Sequence, residues 1–350
     1  MPRQIGLQEV PMPFQIIRND ITKVRADVIV NTANPKPRFG SGTDSAVYAA
    51  AGAEQLLAER KKIGDIAPGQ SAVTPAFRLP AKYIIHTVGP VWLDGQHGEQ
   101  DILRACYENT LALAAELKAE SIAFPLIATG VYGFPKEAAL NIALSEIGKF
   151  LLTHEMNVIL VVLGEEAFAL SEKLVGSIDA YLDAHQVRAL EAAEYANDRV
   201  LAEHSRRRAS RLYKKEPAVY HNSIGNAVRP LEQVLSDAGD TFQQRLFQLI
   251  DKSGMDDVTV YKKANIDRKV FSRIRCKADY KPTKKTAVAL AVALRLSLPE
   301  MRGLLACAGI AFSPSDKFDL IVTYCVQNGI YDIFEINAVL FRYGQPILGA

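Results

Sequence analysis

Cysteine and tryptophan are scarce in this chain of 350 residues, with four cysteines (Cys106, Cys276, Cys307, Cys325) and one tryptophan. The cysteines are too scattered for a zinc-ligand cluster or a disulfide framework. They are expected to be reduced, mostly buried thiols of a cytoplasmic protein. No apolar run is long enough to span a bilayer, and the opening MPRQIGLQEVPMPFQ lacks an apolar signal core, so no membrane partner is expected. Also missing are a Gly-Lys-Ser/Thr phosphate loop, a dinucleotide glycine fingerprint, a GxSxG elbow and an HExxH pair. These absences exclude several common nucleotide, esterase and metalloprotease chemistries. They call for no metal and no cofactor, and leave backbone donors, Asp and Asn to carry any chemistry. There is no internal repeat and no low-complexity tract.

A large net charge is lacking too, at +2 overall, but the charge is unevenly spread. Residues 1–183 hold 16 Lys and Arg against 21 Asp and Glu, a balance of −5. Residues 184–240 stand at +1 and residues 241–350 at +6. An acidic front and a basic back suit two partners of different charge. Through residue 185 or so, short β-branched runs (FQII, DVIVNT, SAVTP, YIIHTVG, SIAFPLIAT, NVILVVL) alternate with helix-like stretches. The helices are expected at Asp44–Ala51, Glu54–Lys62, Asp101–Leu117, Lys136–Leu152 and Glu166–Tyr181. Apolar strands separated by helices predict an α/β domain over 1–183, with a largely parallel sheet covered on both faces. Ligands of such sheets gather at the carboxyl ends of the strands. Residues 184–240 read as a charged connector helix and a loose linker, with a basic end (SRRRASRLYKK) as its sharper feature. Residues 241–350 read as all-helical.

Four segments of the front half share one logic. Asp20 and Ile21 follow the strand FQII, where an ionised carboxylate can accept from an exocyclic amine, although a turn Asp is the plainer reading. The strand DVIVNT runs into Asn31 and Asn34. Gly40, Ser41, Gly42 and Thr43 then lead to Asp44 at a helix start, a place where glycines and an N-terminus favour a diphosphate. For Asp44 alone a plain N-cap role is a strong competitor. After SIAFPLI come Ala128, Thr129, Gly130, Val131, Tyr132, Gly133 and Phe134, again small residues with aromatics able to cover a sugar or base. His86, inside the strand KYIIHTVG, is expected to be a satisfied structural histidine.

Taken together these segments resemble the macrodomain family: NDIT at 19–22, NTAN at 31–34, GSGTDSAVY at 40–48, IIHTVGP at 84–90 and SIAFPLIATGVYGFP at 121–135. The match runs over about 14–182. The resemblance implies a three-layer α/β/α fold with a mixed central sheet and a site for ADP-ribose. It further implies that Asp20 receives the adenine amine and that 40–43 and 128–134 cradle the diphosphate. Asn34 would hold the distal ribose, and Asp44, the Asp of the MacroD-type hydrolases, would position water or that ribose. Asn34 and Asp44 are thus the catalytic candidates. The implied reaction is release of ADP-ribose from mono-ADP-ribosylated acidic side chains or from O-acetyl-ADP-ribose, without a metal; the alternative is a non-catalytic ADP-ribose reader. An exposed Asp with a pKa near ~4 would orient water more than deprotonate it. Three departures from the family pattern stand out. Tyr48 replaces the usual His, Ala128 the usual Ser, and Leu163 an aromatic that some relatives hold against adenine.

The back half resembles, more loosely, helix-turn-helix domains of phage-repressor type. A helix ends at Gly254, a second spans about 258–264, and a third opens near Asp267. The third carries Arg268, Lys269, Ser272, Arg273 and Arg275, a row suited to phosphates and base edges. DNA or a protein is the partner expected there. The apolar tail from Phe318 to Leu348 is expected to cap the helical core or to form a partner surface.

Overall fold

The computed structural model describes residues 13–163, 170–185 and 239–349. The connector and linker expected between the halves lie almost wholly outside the described residues, basic end included. Six strands form one sheet: β1 (Phe14–Arg18), β2 (Val28–Thr32), β3 (Ser71–Pro75), β4 (Tyr83–Thr87), β5 (Ser121–Pro125) and β6 (Asn157–Val162). Their order is β1-β6-β5-β2-β4-β3. All neighbours run parallel except β3, which pairs antiparallel with β4, so the sheet is mixed as the resemblance implied. Each apolar run of the sequence becomes a strand. SIAFPLIAT is cut short at Pro125, after which the chain leaves the sheet to build a loop.

Alternation along β2 explains the layers. Val28 and Val30 point into the larger core with helices α3 (Glu99–Glu116) and α4 (Lys136–Thr153). Ile29 points the other way, onto α1 (Thr43–Ala51) and α2 (Ala53–Ile63). Both faces being covered, the strands read as continuous apolar runs rather than alternating ones. Helix α5 occupies 172–185, later than the expected 166–181, whose first residues fall outside the described part. Cys106 and Cys325 are buried, whereas Cys276 is exposed and Cys307 half-buried, so "mostly buried" holds for two of the four thiols.

From residue 242 the chain is helical: α6 (Phe242–Ser253), α7 (Asp257–Lys263), α8 (Arg268–Cys276), α9 (Lys284–Ala293), α10 (Leu298–Cys307), α11 (Lys317–Gln327) and α12 (Ile333–Arg342). Each opens on Thr, Asp or Ser: Thr241, Asp256, Asp267, Thr283, Ser297, Asp316 and Asp332. Thr241 and Ser297 head full capping boxes with Gln244 and Glu300. Such side chains satisfy N–H groups that a helix start leaves unpaired, and so fix where each helix begins.

The two halves share one buried core. Strand β1 is a sheet edge, and an open edge is a hazard unless covered. Asn265, in the turn between α7 and α8, covers it: its Oδ1 accepts from the Phe14 N–H at 2.8 Å and its Nδ2 donates to the Phe14 carbonyl at 3.0 Å. The side-chain amide thus stands in for one residue of a seventh strand. The same Nδ2 reaches the carbonyl of buried Leu348 at 3.3 Å, and Asn337 brackets Leu348 from both sides. Beside this seam the Phe14 and Phe334 rings meet edge to face at 5.1 Å. Gly148 of α4 leaves room for Phe334, since a β-carbon there would lie 3.1 Å from the ring. Tyr261 donates to Glu155 at 3.1 Å, and Tyr343 to Asp179 at 2.7 Å. The tail beyond residue 318 therefore packs α11 and α12 into the shared core.

Asn265 also sits at φ +53, a left-handed conformation that Asn adopts at lower cost than Ala. Asn265→Ala leaves buried backbone groups of Phe14 and Leu348 unpaired and strains the turn. We expect a loss of about 2–5 kcal/mol in chemical unfolding of the full chain. Loss of less than ~1 kcal/mol would show that water replaces the amide without penalty.

Candidate active site

A cleft of about 750 Å³ opens at the carboxyl ends of β1, β2, β5 and β6, a size suited to a small ligand. Its walls are built by three chain segments leaving those strand ends.

The first segment follows β1. Asp20 caps the 3-10 turn Ile21–Lys23; its Oδ1 accepts from the Thr22 hydroxyl at 2.7 Å and the Thr22 N–H at 3.0 Å. Those two bonds, the hydroxyl first, hold its carboxyl below the usual range. Asp20 is therefore an ionised acceptor at neutral pH, with Oδ2 left 3.9 Å from the Lys23 amine. Both the cap reading and the ligand reading of this residue are compatible with that geometry.

The second segment follows β2. Gly40 lies between the Asn34 amide and the Asp44 carboxylate, and a β-carbon on it would be 2.6 Å from each. Only glycine fits there. Its N–H donates to Asp44 Oδ2 at 2.6 Å. Helix α1 starts just beyond with no side-chain cap. Among the described residues the N–H groups of Ser41, Gly42 and Thr43 meet no carbonyl. Uncapped N–H groups and the positive end of the helix dipole make this an anion site.

The third segment follows β5. Ala128 adopts φ +63, and the loop closes on itself through Gly133 N–H to Gly130 O at 2.9 Å and Phe134 N–H to Ala128 O at 3.0 Å. The N–H groups from Ala128 to Tyr132 make no hydrogen bond among the described residues. Trp92 braces this loop from outside, donating its N–H to the Tyr132 carbonyl at 2.8 Å and packing on Phe134 at 4.7 Å. Two rows of free backbone donors thus face one cleft.

Asp44 lies at the bottom, only 2% exposed. The expectation of an exposed Asp with an ordinary pKa is overturned: burial pushes its carboxyl up, against the pull of hydrogen bonds from Asn31 and Gly40 and of the charge on Arg60. Asn31 Nδ2 donates to Asp44 Oδ1 at 2.6 Å and lies 3.1 Å from His86 Nδ1. Both amide hydrogens are thereby used, which makes Nδ1 the acceptor and puts the ring proton on Nε2, 3.0 Å from Thr74 Oγ1. His86 is fully buried, and burial first, then the Arg60 charge, drives its pKa down to about 3. It is the satisfied structural histidine that the strand context predicted. Tyr48 sits beside Asp44, buried against Phe39 and His86. Burial and the Asp44 charge push its phenol up to about 12, so it stays protonated.

Most sequence candidates meet here. Asn34, Asp44, Asp20, Ile21, Gly40–Thr43, Ala128–Tyr132 and Leu163 all line the cleft. Three do not. Asn31 is fully buried beneath the floor, because its position in β2 points it toward α1; it touches Asp44 rather than the cleft. Phe134 is 1% exposed against Trp92, and Gly133 is turned into the loop closure. Sequence reasoning missed Arg38, Phe39 and Lys136 at the mouth, and Gly89 beneath the third loop. It also missed Arg60, which hides in the charged run ERKK. The available signal was phase: Arg60 follows buried Leu56 by one helical turn.

Asp94, His97 and Glu99 bring ligand atoms within 4.8 Å of one another, a spacing that would suit a cation. Glu99, however, already accepts from the N–H groups of Leu93, Asp94, Gly95 and His97. These bonds hold its carboxyl down at about 2 in spite of burial. The cluster is thus explained as the clasp of the loop that carries Trp92.

In the helical half Arg268, Lys269, Ser272, Arg273 and Arg275 are all exposed, while Val270, Phe271 and Ile274 are buried beneath them. Arg275 stands apart from the row: it pairs with Asp257 at 2.8 Å and lies over the Phe247 ring. Arg268 lines a groove of about 450 Å³ between the halves, with Lys118 and Glu155 opposite. Among the described residues no helix is long and apolar enough to cross a membrane.

The macro domain family model matches residues 30–143. A macro domain-containing protein of Methanosarcina mazei is 47% identical over 143 residues, which are 41% of this chain and 76% of that protein. An O-acetyl-ADP-ribose deacetylase of Citrobacter rodentium is 47% identical over 141 residues, 39% of this chain and 80% of that enzyme. Among solved structures, the Oceanobacillus iheyensis macrodomain with ADP is 39% identical with a TM-score of 0.41, covering 45% of this chain and 83% of its own. Through its sheet-bearing half, with the two donor loops and the buried carboxylate between them, this chain belongs to the macrodomain family.

Proposed function

We propose that the cleft binds ADP-ribose and hydrolyses an ester that joins its distal ribose to an acyl group, as in O-acetyl-ADP-ribose or a mono-ADP-ribosylated carboxylate side chain. The observation that carries this reading is the pair of unpaired backbone N–H rows facing each other across one cleft, with a carboxylate held at its floor. A diphosphate supplies the acceptors those rows lack. Asp20 Oδ2 then receives the adenine amine, and Leu163, 81% exposed at the end of β6, offers an apolar edge to the base. The names of several relatives, O-acetyl-ADP-ribose deacetylases at 42–47% identity, support the same chemistry.

The reaction adds water across the ester and yields an acid and ADP-ribose. Asn34 holds the distal ribose, and Asp44 accepts a hydrogen bond from the attacking water or the ribose hydroxyl. The raised carboxyl of Asp44 makes it a better proton acceptor than a surface aspartate. Holding ester and water together contributes more than basicity, because positioning converts an encounter into an intramolecular step. Tyr48, being protonated, can only donate or pack, and takes no part as a base. No metal is required by this scheme.

Asp44→Ala and Asn34→Ala should each lower kcat for release of ADP-ribose from O-acetyl-ADP-ribose by ~100-fold or more while the protein still unfolds cooperatively. Parent protein that binds ADP-ribose yet releases none from either ester would instead be a reader of the nucleotide. Asp20→Ala should weaken ADP-ribose binding roughly 10- to 100-fold by calorimetry, since it removes one charge-assisted hydrogen bond. Undiminished affinity would withdraw the adenine assignment.

A second reading concerns α8. Lys269, Ser272 and Arg273 form an exposed strip whose two cations pair with no acid among the described residues. That strip supports nucleic-acid phosphates as a partner. Duplex binding should fall linearly with the logarithm of salt, and removing either cation should reduce the slope by about one. Binding insensitive to salt, or none, points to a protein partner instead.

A further inference from the structure

Arg60 is the largest fully buried side chain of the described residues, at 1% exposure. A guanidinium taken out of water without an opposite charge is costly, and an apolar side chain of similar volume would fill the space more cheaply. Yet Arg60 makes no ion pair among the described residues. Its Nη2 donates to the carbonyls of Asn34 and Pro35, each at 3.2 Å, and its Nη1 donates to the carbonyl of Gly64. Asn34 is thus held from behind by its own backbone while its side chain faces the cleft. A planar fork with several donors can grip three carbonyls at once, which an ammonium cannot.

We propose that Arg60, which does not line the cleft, is a positioning residue for the reaction, clamping the Asn34–Pro35 backbone and serving as the buried counter-charge of Asp44. This rests on the proposed hydrolysis only for its activity readout. The groups that face Asp44 are Arg60 from α2, Tyr48 on its own helix, Tyr132 from the loop after β5 and, through Asn31, His86 of β4. Both phenols are pushed up and His86 is pushed down to about 3, so these three are neutral near pH 7. Arg60, which Asp65 faces as well, is then the one cation among these groups, and its charge adds to the Asn31 and Gly40 hydrogen bonds in opposing the burial of Asp44. Removing that charge raises the Asp44 pKa and carries the acid limb of activity upward. Removing the fork alone should leave the titration in place and loosen Asn34.

Two substitutions in the full chain separate these effects. Carbon-13 carboxyl NMR of aspartate-labelled protein, with the Asp44 signal assigned by its absence in Asp44→Asn, gives the titration directly. In Arg60→Gln, which keeps a donor but no charge, Asp44 should titrate about one pH unit higher than in the parent. The acid limb of kcat/KM for O-acetyl-ADP-ribose should move with it. In Arg60→Lys the Asp44 titration should match the parent while kcat/KM falls roughly tenfold or more. An unshifted Asp44 in Arg60→Gln overturns the counter-charge, and full activity in Arg60→Lys overturns the clamp. Should Arg60→Gln not fold, Arg60→Met, which fills the same space without charge, takes its place in the titration. An Asp44 that titrates there as in the parent overturns the counter-charge. Absence of hydrolysis by the parent would sink the enzymatic reading, yet the NMR titration would still decide what Arg60 does.

Discussion

A carboxylate that is 2% exposed at the base of the cleft is the constraint around which this half of the molecule is arranged. Desolvation alone favours the protonated form of Asp44. The chain answers with one hydrogen bond from Gly40, one from Asn31, and the charge on Arg60. Each has a consequence elsewhere. The Gly40 bond requires a residue without a β-carbon, so the first glycine of the loop is fixed by space rather than by flexibility. The Asn31 bond requires an amide with both hydrogens directed, which engages His86 and Thr74 across three strands. Asn31 Oδ1 is left buried without a partner among the described residues. Leaving an acceptor unpaired is costly, and the gain is an amide orientation that cannot turn an oxygen toward the carboxylate.

The helical half is joined to this arrangement by a different device. β1 enters the cleft at Asp20, and its outer edge is closed by one asparagine from the turn between α7 and α8. That turn precedes the helix carrying the exposed basic strip, and its Asn265 also grips Leu348 near the other end of the helical half. One side chain therefore links the sheet edge, the basic helix and the tail. The register of β1, and with it the place of Asp20, comes from its pairing with β6, and the edge left open is closed at Phe14 by a residue 251 positions away in sequence.

What could be read from the sequence divides along the same line. The strands were legible because a doubly covered parallel sheet needs continuous β-branched runs, and FQII, VIVNT and NVILVV stand out between Gly, Pro and charge. The cleft-facing loops were legible because glycine-rich turns at strand ends have few other uses, and every residue of 40–44 lines the cleft. Asn31 was misplaced because a strand alternates faces, and one residue decides between cleft wall and floor. Asp44 was judged exposed because sequence gives no burial for a helix-start residue, whose N-cap role looks the same in water. Arg60 was invisible as a functional residue: next to Lys61 and Lys62 it reads as a solvated charge. The Asn265 seam could not be foreseen either, since a side-chain amide that mimics a strand leaves no pattern. The Thr, Ser and Asp caps of the helical half were the reverse case, local signals that fixed helix starts without fixing how the helices pack.

Tyr48 shows why a departure from a family pattern has to be judged in place. A histidine beside Asp44 could take up a proton and pair with the carboxylate, adding a second nearby cation to the one on Arg60. The phenol does neither, because burial and the Asp44 charge hold it protonated up to about pH 12. It fills the space against Phe39 and His86 and leaves the ionisation of Asp44 to hydrogen bonds and to one guanidinium. Substitution at this position therefore removes a titratable neighbour but not the acceptor itself. Under the proposed hydrolysis, the chemistry then rests on geometry at Asn34 and Asp44 and on the buried charge behind them.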